Sequence, residues 1–175
     1  HMRQWKTGNP LDPNSRLGPL VSKEHYDKVS GYLGKTDSIL YGGGTSENAF
    51  VEATVVEIPG NDHILAQEEI FGPILSVIEV TSLDQAVQIA NDTPFGLCAS
   101  LFTSNAKQAL RAARKIKAGT VTVNSFGEGD ITTPFGGFKQ SGFGGRDNSI
   151  LAHEQYTQVK TIWLDLTDSQ DQSID

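Results

Sequence analysis

Apolar positions in this chain recur with two spacings, and the change from one to the other marks its elements. Tyr26, Val29 and Leu33 fall on one helical face, which predicts a helix from Lys23 to Leu33. Ser22 stands where it can cap the free N–H groups, and Gly34 stands where the helix should stop. Ser38 to Tyr41 reads as a short strand closed by Gly42-Gly43-Gly44, and Phe50 to Ile58 as a second, β-branched one. From Ile74 the pattern becomes regular. Ile74 to Val80 is a strand. Ser82 and Gln85 have capping-box spacing, and Leu83, Ala86, Val87 and Ala90 form the stripe of a helix. Thr93-Pro94-Phe95-Gly96 breaks it. Leu97 to Thr103 is a strand, Ala106 to Lys117 a helix with Ala106, Ala109, Leu110, Ala113 and Ile116 on one side, and Thr120 to Asn124 another strand. Strand, helix, strand, helix and strand with short connections imply parallel pairing through right-handed crossovers. The predicted class is an α/β domain with helices on the faces of a parallel sheet.

The stretch from Ser125 to Asp147 has no such period. It holds seven of the 18 glycines. A loop this long is usually functional or disordered, and Phe126, Phe135, Phe138 and Phe143 argue for packing. A short helix is predicted over 149–155, then a last alternating strand from Tyr156 to Leu166, then an acidic, frayed tail over 167–175.

Composition narrows the function. The chain has 175 residues, 14 basic and 21 acidic, for a net charge of −7. Four acids and no base lie between Asp165 and Asp175, so the remainder carries 14 bases against 17 acids. No Lys or Arg occurs between Thr36 and Ala106, and then Lys107, Arg111, Arg114, Lys115 and Lys117 cluster. One basic helix face does not make a nucleic-acid binder, and no nucleic-acid partner is expected. No apolar run is long enough to span a bilayer, and no secretory leader is recognisable, so a cytoplasmic location without membrane partners is expected. His1-Met2 reads as the remnant of a cleaved tag.

Several chemistries fail on spacing. Gly42-Gly43-Gly44 lacks the Gly-x-Gly-x-x-Gly arrangement that brings a backbone close to a pyrophosphate, and no phosphate loop is present. His1, His25, His63 and His153 are scattered without ligand spacing, so no metal is expected. Asn91-Asp92-Thr93 is a formal glycosylation triplet that reads as a helix end. Cys98, the lone cysteine, lies in the apolar run 97–102 and is expected to be buried and inert. Gln67-Glu68-Glu69-Ile70-Phe71-Gly72-Pro73 differs. Its carboxylates suit a ribose diol and its ring a flat heterocycle, although taken alone the segment reads better as a solvated loop with one packed Phe.

Here the residues match a family. Glu68-Glu69-Ile70-Phe71-Gly72-Pro73, Asn91-Asp92-Thr93-Pro94-Phe95-Gly96-Leu97, Ala118-Gly119-Thr120-Val121 with Val123-Asn124, and Pro134-Phe135-Gly136-Gly137-Phe138-Lys139-Gln140-Ser141-Gly142 resemble motifs of the aldehyde dehydrogenase superfamily. Asn9-Pro10-Leu11-Asp12-Pro13 and Gly18-Pro19-Leu20-Val21-Ser22 complete the series, and the order holds from about Trp5 to Leu166. The resemblance is to the C-terminal part of such enzymes. It implies that residues 3–155 form the later portion of the catalytic domain and 156–166 an oligomerisation strand. It also implies that the nucleophilic cysteine and general-base glutamate lie upstream, with the dinucleotide sheet; Gly-Gln-x-Cys is absent here, so no catalytic residue is expected in this chain.

In the intact enzyme the resemblance implies attack of a thiolate on an aldehyde to give a thiohemiacetal, hydride transfer to NAD or NADP, and hydrolysis to the acid. By motif position, Glu69 would accept hydrogen bonds from the nicotinamide ribose and Phe71 would lie near the nicotinamide ring. Phe135 would line the aldehyde tunnel, and Phe126 to Ile131, with Glu128 and Asp130, would form the substrate-access loop. Two acids there suit a cationic aldehyde, and the loop is most similar to the branch acting on γ-aminobutyraldehyde and its γ-glutamyl adduct; a solvated loop touching no substrate stays open beside that. Expected partners are an aldehyde, the upstream NAD-binding part, and a second subunit through 156–166. The other reading is a non-catalytic self-association module.

Overall fold

The computed structural model describes residues 2–46, 48–127 and 129–167. The elements, in order, are α1 (Lys23–Leu33), β1 (Ile39–Tyr41), β2 (Thr45–Ser46), β3 (Phe50–Val51), β4 (Thr54–Glu57), α2 (Ile64–Gln67), β5 (Ile74–Val77), α3 (Leu83–Asn91), β6 (Cys98–Leu101), α4 (Ala106–Lys115) and β7 (Thr120–Val123). Single 3-10 turns occupy Met2–Gln4 and Lys139–Ser141, and a longer 3-10 helix runs over Ile150–Tyr156.

Helix α1 forms for the reasons its sequence gives. Ser22 is extended, and its Oγ accepts the His25 N–H at 3.1 Å, satisfying one orphan donor of the first turn. Gly34 caps the other end. Val29 and Tyr32 turn inward and join Val51, Val56, Ile58, Leu65 and Ile70 in the main core. Around it lies a three-stranded sheet in the order β1-β4-β5: β1 runs antiparallel to β4, and β4 parallel to β5 with Thr54 opposite Ile74. The predicted strand over 50–58 is broken in two. Val51 pairs back to Thr45 in the β2-β3 hairpin, whereas Thr54 enters the larger sheet.

Helix α3 is capped by Ser82, whose Oγ accepts the Gln85 N–H at 3.2 Å. The Gln85 side chain reaches back one residue further than a capping box requires, to Thr81 N–H and Oγ–H. Helix α4 crosses from β6 to β7, which pair in parallel with Cys98 opposite Thr120. It buries Ala109 and Ala112 and leaves Leu110 exposed, so its inner face is turned slightly from the predicted stripe. Arg111 and Lys115 meet Asp84 of α3 at 2.6 and 2.9 Å, so two of the clustered bases bind the helices together. These pairs hold the Asp84 carboxyl below its ordinary range, Lys115 contributing most.

Four expectations need correction. The regular β-α-β-α-β run does not close into one sheet: among the described residues, β5 pairs only with β4, and β6 only with β7. Cys98 is exposed, because the two-stranded β6-β7 sheet lacks a cover over that position. Phe126 and Phe143 are exposed, since among the described residues no apolar layer covers them. The segment 157–167 belongs to no ladder and is exposed throughout; an extended strand needs a partner to form one, and this single chain supplies none among its described residues. Of the predicted tail, residues 168–175 lie outside the described residues. No helix of the described residues is long and apolar enough to cross a membrane.

Candidate functional site

The Glu68–Pro73 turn is fastened to one face of α1. Tyr32 Oη donates to Glu68 Oε2 at 2.6 Å, Lys28 Nζ donates to the Glu69 carbonyl at 3.3 Å, and His25 Nε2 lies 2.8 Å from the Phe71 carbonyl. Residues 25, 28, 29 and 32 share a helical face. Between these polar contacts the packing is close. Ile70 is buried in the core, and a Cβ added at Gly72 would stand 2.5 Å from Val29 Cγ1. Only glycine lets the turn approach the helix this closely. Helix α2 brings the chain to the turn, and Pro73 leaves it by accepting the Thr54 N–H at 2.8 Å on the way into β5.

The result is a fixed backbone with two outward groups. Ile70 points in, while Glu69 and Phe71 on either side point out; Phe71 is 72% exposed. Phe71 has φ of +61°, a left-handed conformation rare for a bulky residue. A carboxylate and an aromatic face held on one rigid turn fit the ribose and ring of a nucleotide: the first accepts hydrogen bonds, the second offers a flat apolar surface.

The second predicted group lies after β7. Asp130 Oδ1 accepts the Thr132 N–H at 2.7 Å and its Oγ–H at 2.6 Å, closing a tight turn that holds this carboxyl below its ordinary range, the side-chain hydrogen bond contributing most. Asp130 therefore shapes the loop as well as charging it. Ile131 is exposed, and its carbonyl accepts the Ser149 N–H at 2.8 Å. Phe126 is 86% exposed. Glu128 lies outside the described residues. Phe135 pairs with Asp147 through two backbone hydrogen bonds, 2.8 and 2.7 Å, and lines a pocket of about 220 Å³ with Leu97, Gly137, Phe143 and Gln155. Gly119 sets the position of this segment. A Cβ there would meet the Gly136 carbonyl, so β7 and the Pro134–Gly137 strip touch backbone to backbone.

The structure thus brings Glu69 and Phe71 together on one turn; Asp130 and Ile131 adjoin in another, and Phe135 lines its pocket beside Asp147. No hydrogen bond among the described residues joins the two groups directly. An open groove of about 680 Å³ between Thr7–Pro10 and Thr45–Phe50 contains neither. Sequence reasoning missed the holders of the first group, His25, Lys28 and Tyr32. The available signal was their spacing, three and four residues apart beside Val29. Among the described residues no cluster of His, Cys, Asp and Glu has the arrangement of a metal site.

Comparison with known proteins places this geometry. The aldehyde dehydrogenase family profile matches residues 1–162. Aminoacetaldehyde dehydrogenase of Pseudomonas aeruginosa is 52% identical over 168 residues, covering 94% of this chain and 34% of that protein. The structure superposes on indole-3-acetaldehyde dehydrogenase AldA of P. syringae, solved with NAD+ and IAA, with a TM-score of 0.88, 42% identity, and coverage of 94% of this chain and 34% of that one. It superposes on γ-glutamyl-γ-aminobutyraldehyde dehydrogenase of Burkholderia cenocepacia J2315 with a TM-score of 0.86, 44% identity, and coverage of 91% and 34%. The chain spans about a third of the length of the curated relatives it matches. With its motifs in order, its parallel strand pairs superposed and its profile matched almost end to end, the chain belongs to the aldehyde dehydrogenase family.

Proposed function

We propose that this chain is the later portion of the catalytic domain of an NAD- or NADP-dependent aldehyde dehydrogenase, which oxidises an aldehyde to a carboxylic acid. The observation that carries the reading is the Glu68–Pro73 turn, which presents the Glu69 carboxylate and the Phe71 ring to solvent on a backbone fixed by α1. Glu69 accepts hydrogen bonds from the nicotinamide ribose, and Phe71 confines the ring. A nicotinamide held there would supply the hydride acceptor. The nucleophilic cysteine and general base come from the preceding part of the longer protein, so this chain alone is inactive.

The remaining residues orient the substrate. Phe135 lines the path of the aldehyde, and Phe126 and Ile131 supply apolar surface at its mouth, where burial excludes water from the reacting carbon. Asp130 gives that mouth a negative charge favouring a cationic aldehyde. An aminoaldehyde or its γ-glutamyl adduct fits, in keeping with the names of the relatives. Residues 156–166 add as a strand to a second subunit: Val159, Ile162, Trp163 and Leu164 are exposed beside unpaired backbone.

The test is Glu69→Gln in the full-length enzyme. Replacing a charged acceptor with a neutral one should weaken NAD+ binding about tenfold, roughly 1.4 kcal/mol. The side chain is exposed, so the thermal midpoint should stay in place. Unchanged NAD+ affinity would remove Glu69 from the cofactor contact.

A further inference from the structure

The residues on either side of Phe71 are held by the core, but Phe71 is not. Ile70 is buried, and Gly72 is pressed on Val29. The Phe71 side chain lies mostly in solvent, yet its backbone sits at φ +61°. Such a conformation persists in a bulky residue only where its surroundings impose it. One contact at Phe71 itself does so, the 2.8 Å approach of His25 Nε2 to its carbonyl. The carbonyl is purely an acceptor, so Nε2 is the donor in this contact. Nδ1 is buried and has no hydrogen-bond partner among the described residues. The ring is therefore not serving a network of its own. It is committed to a single donation, and the His25 and Phe71 rings lie tilted at 53° with centroids 6.5 Å apart.

Building on the dehydrogenase reading, we propose that His25 is a positioning residue for the nicotinamide nucleotide. By donating to the Phe71 carbonyl it keeps the Phe71–Gly72 peptide in one orientation and so sets where the Phe71 ring and the neighbouring Glu69 carboxylate point. Lys28 and Tyr32 hold the earlier half of the same turn at the Glu69 carbonyl and the Glu68 carboxylate. They do not touch Phe71. Without His25, Phe71 relaxes to an ordinary backbone conformation while Ile70 stays seated in the core. The fold survives and the presented surface is lost.

The experiment compares His25→Leu, which removes the donor, with His25→Gln, whose amide can place an N–H near the position of Nε2. Both are made in the full-length enzyme. Two quantities are read: the NAD+ dissociation constant by calorimetry, and amide hydrogen exchange at Phe71 and Gly72 without cofactor. His25→Leu should raise the dissociation constant about tenfold and speed exchange in the turn, with exchange in the surrounding core unchanged. KM for NAD+ should rise by a similar factor, with kcat at saturating cofactor falling less. His25→Gln should restore most of both readouts. Equal affinity and exchange in His25→Leu and the unsubstituted enzyme would overturn the proposal. So would a loss in His25→Leu that accompanies general destabilisation and is not rescued by His25→Gln. Absence of NAD+ binding in the unsubstituted enzyme would instead defeat the dehydrogenase reading, and the exchange rates would then decide by themselves whether His25 holds the turn.

Discussion

Tyr32 shows how much one residue can carry. Its ring is in the core, and its hydroxyl reaches out to Glu68 at 2.6 Å. The hydrogen bond to that carboxylate, then burial, then the carboxylate's charge raise the tyrosine pKa above its ordinary value. A pKa raised on folding contributes stability that is fully present below the unfolded value, about 10 for tyrosine, and is lost as pH rises through the higher folded value. Tyr32→Phe should therefore cost about 1 kcal/mol near neutrality. The gap between the two proteins should hold up to the ordinary tyrosine range and close above it. Urea midpoints across that range check this, and a gap that ignores pH would contradict it. At this scale the sequence was uneven. Glu69, Phe71 and Phe135 could be picked out as candidates because they sit in motifs. Tyr32 and His25 were not, because their partners lie 36 and 46 residues away. Cys98 was misread for a related reason: apolar neighbours along a strand say nothing of whether another layer covers its face.

The elements meet at the end of α3. Asn91 Nδ2 donates to the Lys115 carbonyl at 2.9 Å, and Asn91 Oδ1 accepts the Lys117 N–H at 2.7 Å, which fixes the turn into β7. Lys139 Nζ donates to the carbonyls of Asn91 and Thr93 at 2.8 and 3.0 Å, satisfying acceptors beyond the helix and drawing in the strip that carries Phe135. From the other side Asn61 and Gln67 both donate to the Asp92 carbonyl. The Asn91–Gly96 motif thus joins the half that holds the Glu69 turn to the half that holds Phe135. Asn91→Ala removes two hydrogen bonds and strands both backbone partners, so it should cost about 2 kcal/mol. An unchanged chemical denaturation midpoint would contradict that role. The helices and short strands were legible here, since caps and periodicity are local signals. The division into three sheets was not, because strand pairing is decided by residues distant in sequence.

On the scale of the whole molecule, the exposed apolar residues form the dominant feature. Phe126, Phe143, Val159, Ile162, Trp163 and Leu164 all face solvent in this chain. If 156–166 adds to a second subunit, Trp163, now 90% exposed, becomes buried on assembly. Its fluorescence should shift to the blue as protein concentration rises, and deletion of 156–166 should abolish both the shift and the larger species in light scattering. A shift that survives the deletion would assign the association to another surface. The alternating pattern predicted a strand here, but among the described residues 157–167 pairs with nothing, because a strand needs a partner that one chain's sequence does not name.

On the proposed reading, this chain presents cofactor and aldehyde while chemistry starts from residues outside it. NADH fluorescence measured with NAD+ and an aminoaldehyde tests it most directly, run in parallel on the full-length protein and on these 175 residues alone. NADH should form with the former and not with the latter. NADH formed by the chain alone, or none formed by the full-length protein with any aldehyde, would contradict it.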